Sequence, residues 1–383
     1  MRNVRVCSRC VYDDTVPNIT FDKNDVCNYC QIHDQLDRDF PTGDEGEKHL
    51  QKMFDDIRRD GKGKKYDCVI GVSGGVDSSY LIHMAVERGL RPLAVHFDNT
   101  WNSPIATQNI YNVLSRHNID LFTYVIDNAE CNDIYRAFIE AGLSGPDTAT
   151  DVALATVAYM AAAKFNIGYI MDGHTFRTEG VAPIGSFYFD GKYIESVHKA
   201  YGRLPMKTFP NLTLARFVRW TAMSGVRRLR PLWYAEYDKE AARKFLAENY
   251  GWVYYGGHHL ENYFSAFNHL YILPRRGVMD SRLLSHAASV RSGFLARNVA
   301  LDRLRNPQAC PPEVMQMVKT RLNYSDADLD RLMSMPLRSW KDFTTYKKVF
   351  ERMRPFFWLM LKLKRIPDSF YRKYCFPLPE EKA

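Results

Sequence analysis

The stretch Val69-Ile70-Gly71-Val72-Ser73-Gly74-Gly75-Val76-Asp77-Ser78-Ser79 constrains the fold of this 383-residue chain more than any other. A short β-branched run ends in a serine- and glycine-rich turn, and an amphipathic segment, residues 80–88, follows it. That order reads as strand, glycine turn, helix. Glycine lets backbone N–H groups approach a ligand with no Cβ in the way. The helix start adds unpaired N–H groups and a partial positive charge, and the serines add hydroxyl donors. Val72, Ser73, Gly74, Gly75, Asp77, Ser78 and Ser79 therefore form a candidate anion site suited to phosphate or pyrophosphate. The plain alternative is an ordinary Gly-Gly turn. Neither the Walker spacing nor the dinucleotide fingerprint is present.

Around this turn the pattern alternates. Residues 66–72, 92–97, 121–126 and 167–171 read as strands, and residues 148–166 read as a long helix. A βαβα order implies an α/β fold, a doubly wound parallel sheet with helices on both faces. Ligands of such sheets bind beyond the carboxyl ends of the strands. The glycine turn, Asp98 and Asp172-Gly173-His174 all fall at that edge. Residues 187–194 read as a hairpin, from Asp190-Gly191 between aromatic flanks. Residues 235–248 read as a helix. Residues 252–255 read as a strand entering Gly256-Gly257-His258-His259-Leu260-Glu261-Asn262, and a mostly helical pattern follows to about residue 363. The expected division is a zinc-binding module (1–40), a linker helix (41–65), a nucleotide domain (66–235) and a mostly helical C-terminal region for substrate or partner (236–383).

Cys7-Ser-Arg-Cys10 and Cys27-Asn-Tyr-Cys30 are two CxxC pairs with sixteen residues between them. Each pair presents two thiolates from one turn, and two turns close a tetrahedron, which points to structural zinc. A redox CxxC needs one pair rather than two. His33 offers a substitute ligand, although a solvated histidine is the plainer reading. The remaining cysteines are isolated and form no pattern for persulfide or iron–sulfur chemistry. Met1 to Arg9 lacks an apolar core, so no signal peptide is expected, and no apolar run is long enough to span a membrane. These features predict a cytoplasmic protein. The net charge of +8 permits an anionic substrate, nucleotide sugar or RNA alike.

Several polar groups are candidates for chemistry. A carboxylate at Asp77 would repel phosphate unless a cation intervenes, so Asp77 is expected to hold Mg²⁺, to cap its helix, or both. His174, Arg177 and Glu179 place a base, a guanidinium and a carboxylate beside the nucleotide edge; a polar surface loop is the alternative. His258, His259, Glu261 and Asn262 suit polar contacts to a substrate, or satisfied structural positions for the histidines, better than a second metal. Arg275-Arg276 through Asp280-Ser281-Arg282 can grip a diphosphate or uronate, or form a solvated turn. Residues 343–374 mix Lys and Arg with Phe356-Phe357-Trp358-Leu359-Met360-Leu361. They suit a membrane surface, a partner, or a helix pair capping the core.

Ser73-Gly74-Gly75-Val76-Asp77-Ser78 matches the SGGxDS motif of the PP-loop ATP pyrophosphatases, of the HUP-like fold group. The ordered set of motifs resembles the N-acetyl sugar amidotransferase (WbpG/PseA-like) family over nearly the whole chain. That set is the two CxxC pairs, the glycine turn, Asp98 with Trp101-Asn102-Ser103, Gly173-His174, residues 252–262, Asp280-Ser281-Arg282, and Ser292-Gly293 with Arg297. Many relatives carry Lys-His where this chain has His258-His259.

The resemblance implies ATP, Mg²⁺ and structural Zn²⁺, and a UDP-linked N-acetyl sugar as substrate. ATP would adenylate the acetamido oxygen, and ammonia would displace AMP to leave an acetamidino group, in surface polysaccharide (O-antigen, lipopolysaccharide) or glycan biosynthesis. Asp77, His174, Arg177 and Glu179 would be catalytic. Val72, Ser73, Gly74, Gly75, Asp77, Ser78, Ser79, Asp98 and Gly173 would hold ATP, and Trp101, Asn102, His258, His259, Glu261, Asn262, Asp280 and Arg282 are substrate candidates. Residue 2 is Arg, not the cysteine of an N-terminal-nucleophile glutaminase. The chain then reads as a synthetase subunit, and the resemblance implies ammonia from a separate glutaminase subunit, resembling that of histidine biosynthesis, through a cyclase-like channelling companion. No nucleic acid partner is expected. The competing readings are a tRNA-modifying PP-loop enzyme of thiolation or lysidine type, and a zinc-ribbon scaffold with an inactive nucleotide fold.

Overall fold

The structure is a computed structural model. It describes residues 4–183, 187–257, 260–278, 280–306 and 308–377.

Five strands form one parallel sheet in the order β3-β2-β1-β4-β5. They are β1 (Cys68–Gly71), β2 (Pro92–Asp98), β3 (Leu121–Val125), β4 (Tyr169–Met171) and β5 (Arg227–Leu229). Val69 stands opposite Leu93 on one side and Ile170 on the other, so β1 is central. Alternation along the strands divides the core. Val69, Leu93, Val95, Phe97 and Ile170 face a large cluster that includes α5 (Asn128–Glu140), α6 (Thr148–Lys164), α7 (Gly191–Tyr201) and the C-terminal helices. Cys68, Ile70, Ala94, Tyr169 and Met171 face the other cluster. That cluster includes α2 (Gly43–Asp60), α3 (Val76–Glu87), α4 (Pro104–Arg116) and the helix Lys239–Tyr250. Both faces are covered, as the near-continuous apolar strands require. The fold is the expected doubly wound α/β type with a largely helical C-terminal region.

The chain runs outward from β1 to β2 and β3, then returns through α6 to lay β4 on the other side of β1. The order reverses between β1 and β4, which makes the carboxyl ends of those two strands the switch-point crevice. α6 lies close to the sheet because Ala149, Ala153, Ala161 and Ala162 form its buried side.

Three local expectations are corrected. Residues 187–194 form no hairpin. Asp190 instead accepts from the Tyr193 amide and caps α7, so its pairing with Gly191 marks a helix start rather than a turn. Residues 252–255 form no strand. The Val253 N–H and C=O bond to the side-chain amide of Asn109, at 2.8 Å each, and that amide takes the place of a partner strand. The fifth strand, Arg227–Leu229, was not foreseen because Arg-Arg-Leu carries no apolar run.

The N-terminal module is a turn-rich segment followed by α1 (Asn28–Asp39). It shares a separate buried cluster with Leu283, Ala287 and Ala300 of the C-terminal helices. Among residues 41–65, α2 buries Leu50, Phe54 and Ile57 in the second core. Among the described residues no helix is long and apolar enough to cross a membrane.

Candidate functional site

The chain leaves β1 with the Val72 amide still bonded to the Val95 carbonyl, and then turns sharply. Gly74 has φ +82°, and a Cβ there would lie 2.3 Å from the Ala106 carbonyl oxygen, so only glycine fits. The Gly74 carbonyl accepts from the Trp252 indole N–H (3.0 Å) and the Asn109 amide (3.4 Å). Ser73 Oγ accepts from the Gly75 amide, and Ser78 Oγ donates to the Gly75 carbonyl. Gly75 is the N-cap of α3 and has no side chain to satisfy the first-turn amides. The result is a braced loop that presents N–H groups at the positive end of a twelve-residue helix, a geometry suited to pyrophosphate.

Asp77 sits on that first turn. Its Oδ2 accepts from Lys239 Nζ and its Oδ1 from the Tyr237 hydroxyl, both at 2.6 Å. Burial opposes its charge, but Lys239 and the hydrogen bonds outweigh burial and hold its pKa below the usual carboxylate value. Lys239 also lies 3.5 Å from Glu179. Burial, and then the charge of Asp77, push the Glu179 carboxyl up to about 8. One lysine is thus shared by an ionised and a protonated carboxyl.

Gly173 brings the β4 edge against α3, where a Cβ would stand 3.2 Å from the Asp77 carbonyl carbon. His174 Nε2 is 3.8 Å from Glu179. Burial, then Arg230, lowers the His174 pKa to about 4, so the ring is neutral, and its buried Nδ1 has no hydrogen-bond partner. Asp172 accepts from Arg228 at 2.8 Å, with Arg230 at 3.8 Å. Burial resists its ionisation, but the two guanidiniums hold its pKa at about 2. Asp98, at the end of β2, accepts from the Thr100 amide and shapes the turn into the next loop.

That loop joins the sheet to the C-terminal region. Asn102 and Asn262 form an antiparallel bridge. The Asn262 amide donates to the side-chain oxygens of Asn99 (2.9 Å) and Asn102 (3.0 Å). Asn262 Oδ1 accepts from the Phe264 and Ser265 amides and caps the helix Tyr263–Phe267. Asn102 Nδ2 lies 2.8 Å from His96 Nε2, and His96 Nδ1 lies 2.8 Å from the Val72 carbonyl. A partly buried polar chain therefore runs from the glycine loop to residue 262. Glu261 stands over the loop, with Oε1 3.7 Å from a Cβ built at Gly75. Burial raises its pKa, and its Oε2 lacks a hydrogen-bond partner.

The four cysteine sulfurs lie within 4.8 Å of one another, and all four residues are buried. Among the described residues this is the one group of three or more candidate ligands so arranged. The Sγ separations for Cys27–Cys30, Cys10–Cys27 and Cys7–Cys30 are 3.6, 3.7 and 3.8 Å. A tetrahedron with Zn–S bonds of about 2.3 Å has edges of about 3.8 Å, so the set fits zinc. Four thiolates on one divalent ion leave net negative charge, and Arg291 lies against it, 3.2 Å from Cys10 Sγ and 3.4 Å from Cys30 Sγ. Arg297 donates to the Cys7 and Cys10 carbonyls. His33 faces Ser292 and Asp37 rather than the thiolates.

Other expected site residues are placed away from the loop. The Arg177 guanidinium donates to the Phe40 and Trp233 carbonyls and pairs with Asp37, tying α1 to the β4 loop. Trp101 is fully buried, its indole N–H bonded to Asn132 and its ring under Arg321. Asp280 and Arg282 pair with each other, and Arg282 also donates to the carbonyls of Arg303 and Asn306. His258 and His259 lie outside the described residues.

Sequence reasoning missed Tyr237, Lys239, Arg228 and Arg230, and Tyr255, whose hydroxyl stands 3.3 Å from a Cβ built at Gly75. The signal available was weak: a Tyr-x-Lys at a helix start and an arginine run after a strandless stretch.

Residues 261–355 match the family model described as "LPS biosynthesis protein WbpG-like, C-terminal domain". That segment supplies Asn262 to the loop network and Arg291 to the cysteine cluster. No curated protein sequence matches the chain. Among solved structures it is similar to the NMN synthetase from Francisella tularensis at 14% identity, covering 76% of this chain and 97% of that one, with a TM-score of 0.31. It is similar also to the NH3-dependent NAD synthetase from Campylobacter jejuni subsp. jejuni NCTC 11168, solved with a nitrate ion. The identity there is 16%, covering 76% of this chain and 98% of that one, with a TM-score of 0.32. Scores this low leave the argument with the loop itself and the family match. An SGGxDS loop between a central parallel strand and its helix is thus joined, in one chain, to a C-terminal segment that matches the WbpG-like C-terminal domain model.

Proposed function

We infer that the chain is the synthetase subunit of an ATP-dependent amidotransferase. It adenylates the acetamido oxygen of a UDP-linked N-acetyl sugar and converts that group with ammonia into an acetamidino group. The reading is carried by one observation: a braced glycine loop at a helix N-terminus beside the Asp77–Lys239–Glu179 cluster, linked through Asn262 to the WbpG-like domain.

The chemistry has two steps. The amide oxygen attacks the α-phosphorus and pyrophosphate leaves. Ammonia then adds to the activated carbon, AMP leaves with the oxygen, and the nitrogen sheds a proton. An amide oxygen leaves poorly and adenylate leaves well, which is why ATP is required. The first-turn amides of α3 are preorganised donors that would meet the charge developing on pyrophosphate with little reorganisation. Lys239 adds positive charge beside it. The neutral His174 ring, with its unpaired Nδ1, can accept a hydrogen bond from the incoming nitrogen. The crevice holds the reacting groups in line.

Magnesium fits the donor set, because Mg²⁺ takes one or two carboxylates and completes its shell with phosphates and water. Asp77 would hold it, with Glu179 beside it. When bound, the ion neutralises phosphate charge. The zinc module serves the architecture, since four thiolates leave no open position. The partners are those that the resemblance to the WbpG-like family implies: a separate glutaminase subunit and a cyclase-like conduit for ammonia.

The test is purified protein with ATP, Mg²⁺, an ammonium salt and a panel of UDP-acetamido sugars. AMP and pyrophosphate should form with one sugar and be lost in Asp77→Ala, which should stay folded. AMP formed with tRNA and with none of the sugars would overturn the reading.

A further inference from the structure

The helix Arg354–Lys362 is apolar on both sides. Phe357 and Met360 are buried in the large core cluster and anchor it. Positions 355, 358, 359, 362 and 363 share the opposite face. There Trp358, Leu359 and Leu363 are 49%, 51% and 54% exposed. At the C-terminal end Arg365 donates to the Gly225 carbonyl, two residues from Met223, which is 80% exposed. A surface helix normally turns polar residues outward, so this stripe is an anomaly.

Its own segment carries one sign of charge, and the bordering Glu351 and Asp368 pair with Lys347 and Arg372. Residues 352–367 contain Arg352, Arg354, Lys362, Lys364 and Arg365 and no Asp or Glu. Arg352 and Arg354 lie at one end of the stripe, and Lys362, Lys364 and Arg365 lie at the other. The Lys362 ammonium lies 5.5 Å from the Trp358 ring. The four apolar side chains expose on the order of 500 Å². That is short of the ~800 Å² per partner of a standard protein interface. An interfacial contact needs less: a few apolar side chains entering the headgroup boundary, flanked by cations paired with anionic lipid.

We propose that this face, Trp358, Leu359, Leu363 and Met223 with their flanking cations, docks the protein on an anionic bilayer surface. The contact is peripheral and separate from the nucleotide crevice, so it stands whether or not the sugar chemistry above is right. The apolar side chains provide the insertion, and the cations provide selectivity for anionic headgroups and sensitivity to salt.

The test is co-sedimentation of the full chain with phosphatidylcholine vesicles prepared with and without phosphatidylglycerol. Binding should require phosphatidylglycerol and fall as salt rises. Lys362→Gln with Lys364→Gln should weaken it about 25-fold, roughly fivefold per cation. Leu359→Gln with Leu363→Gln should weaken it at least tenfold at unchanged net charge. Both double variants alter exposed positions, and circular dichroism and zinc content should match the parent. Three results would each overturn the proposal: no sedimentation with phosphatidylglycerol at low salt, equal binding to both vesicle types, or a soluble dimer that Leu359→Gln converts to monomer.

Discussion

Glu179→Gln tests the electrostatics of the crevice without changing its shape. Only 14% of the Glu179 side chain is exposed, and its carboxyl is pushed up to about 8 from an ordinary value of 4.5, by burial and then by Asp77. A carboxyl that binds its proton more tightly in the folded state favours unfolding when it ionises. Below about pH 4.5 both states are protonated and nothing is lost. As the pH rises through the unfolded value, the unfolded chain ionises first and stability falls. The loss is complete above about pH 8. Between pH 5 and pH 8 the full shift is worth about 3.5 kcal/mol. The crevice still admits water, which reduces this to ~2–3 kcal/mol. Glutamine presents an amide of the same shape and does not titrate. Urea unfolding of the two proteins, free of nucleotide and divalent metal, should therefore show the variant gaining ~2–3 kcal/mol on the parent between pH 5 and pH 8. A stability gap constant across that range to within ~0.5 kcal/mol would refute the placement of a protonated Glu179 beside Asp77.

Gly74→Ala should lose ~3 kcal/mol or more and abolish ATP binding, because its Cβ meets a backbone carbonyl and its φ is positive; thermal unfolding and nucleotide titration would show this. Arg291→Gln should keep one zinc per chain but weaken its retention ten- to hundredfold in chelator competition, since the thiolates stay and the neighbouring cation goes.

The legible parts were those written in adjacent residues. The glycine turn, the strand segments β1 to β4 and both CxxC pairs each announce themselves within a few positions, through short apolar runs, glycine-rich turns and ligand spacing. Asp190-Gly191 misled because Asp caps helices as readily as it begins turns, and only the following residues decide. Residues 252–255 have the composition of a strand, yet Asn109, more than a hundred residues earlier, satisfies their backbone. Arg177 looked catalytic from its neighbours in sequence, but its guanidinium finds three oxygen acceptors on the far side of its own loop.

The sequence by itself determined that this chain would build a parallel α/β sheet, place a glycine-rich turn at the end of β1 and gather four thiolates, because those are properties of short stretches of backbone and side chain. The tertiary structure decided which groups share the crevice. Lys239 reaches Asp77 from 162 residues away, Asn262 joins Asn102 across 160, and Arg291 meets Cys10 across 281. Contacts of that span depend on how the helices and the crossover pack against the sheet. Burial in that packing then sets the charges, leaving Asp77 ionised and Glu179 protonated around one lysine.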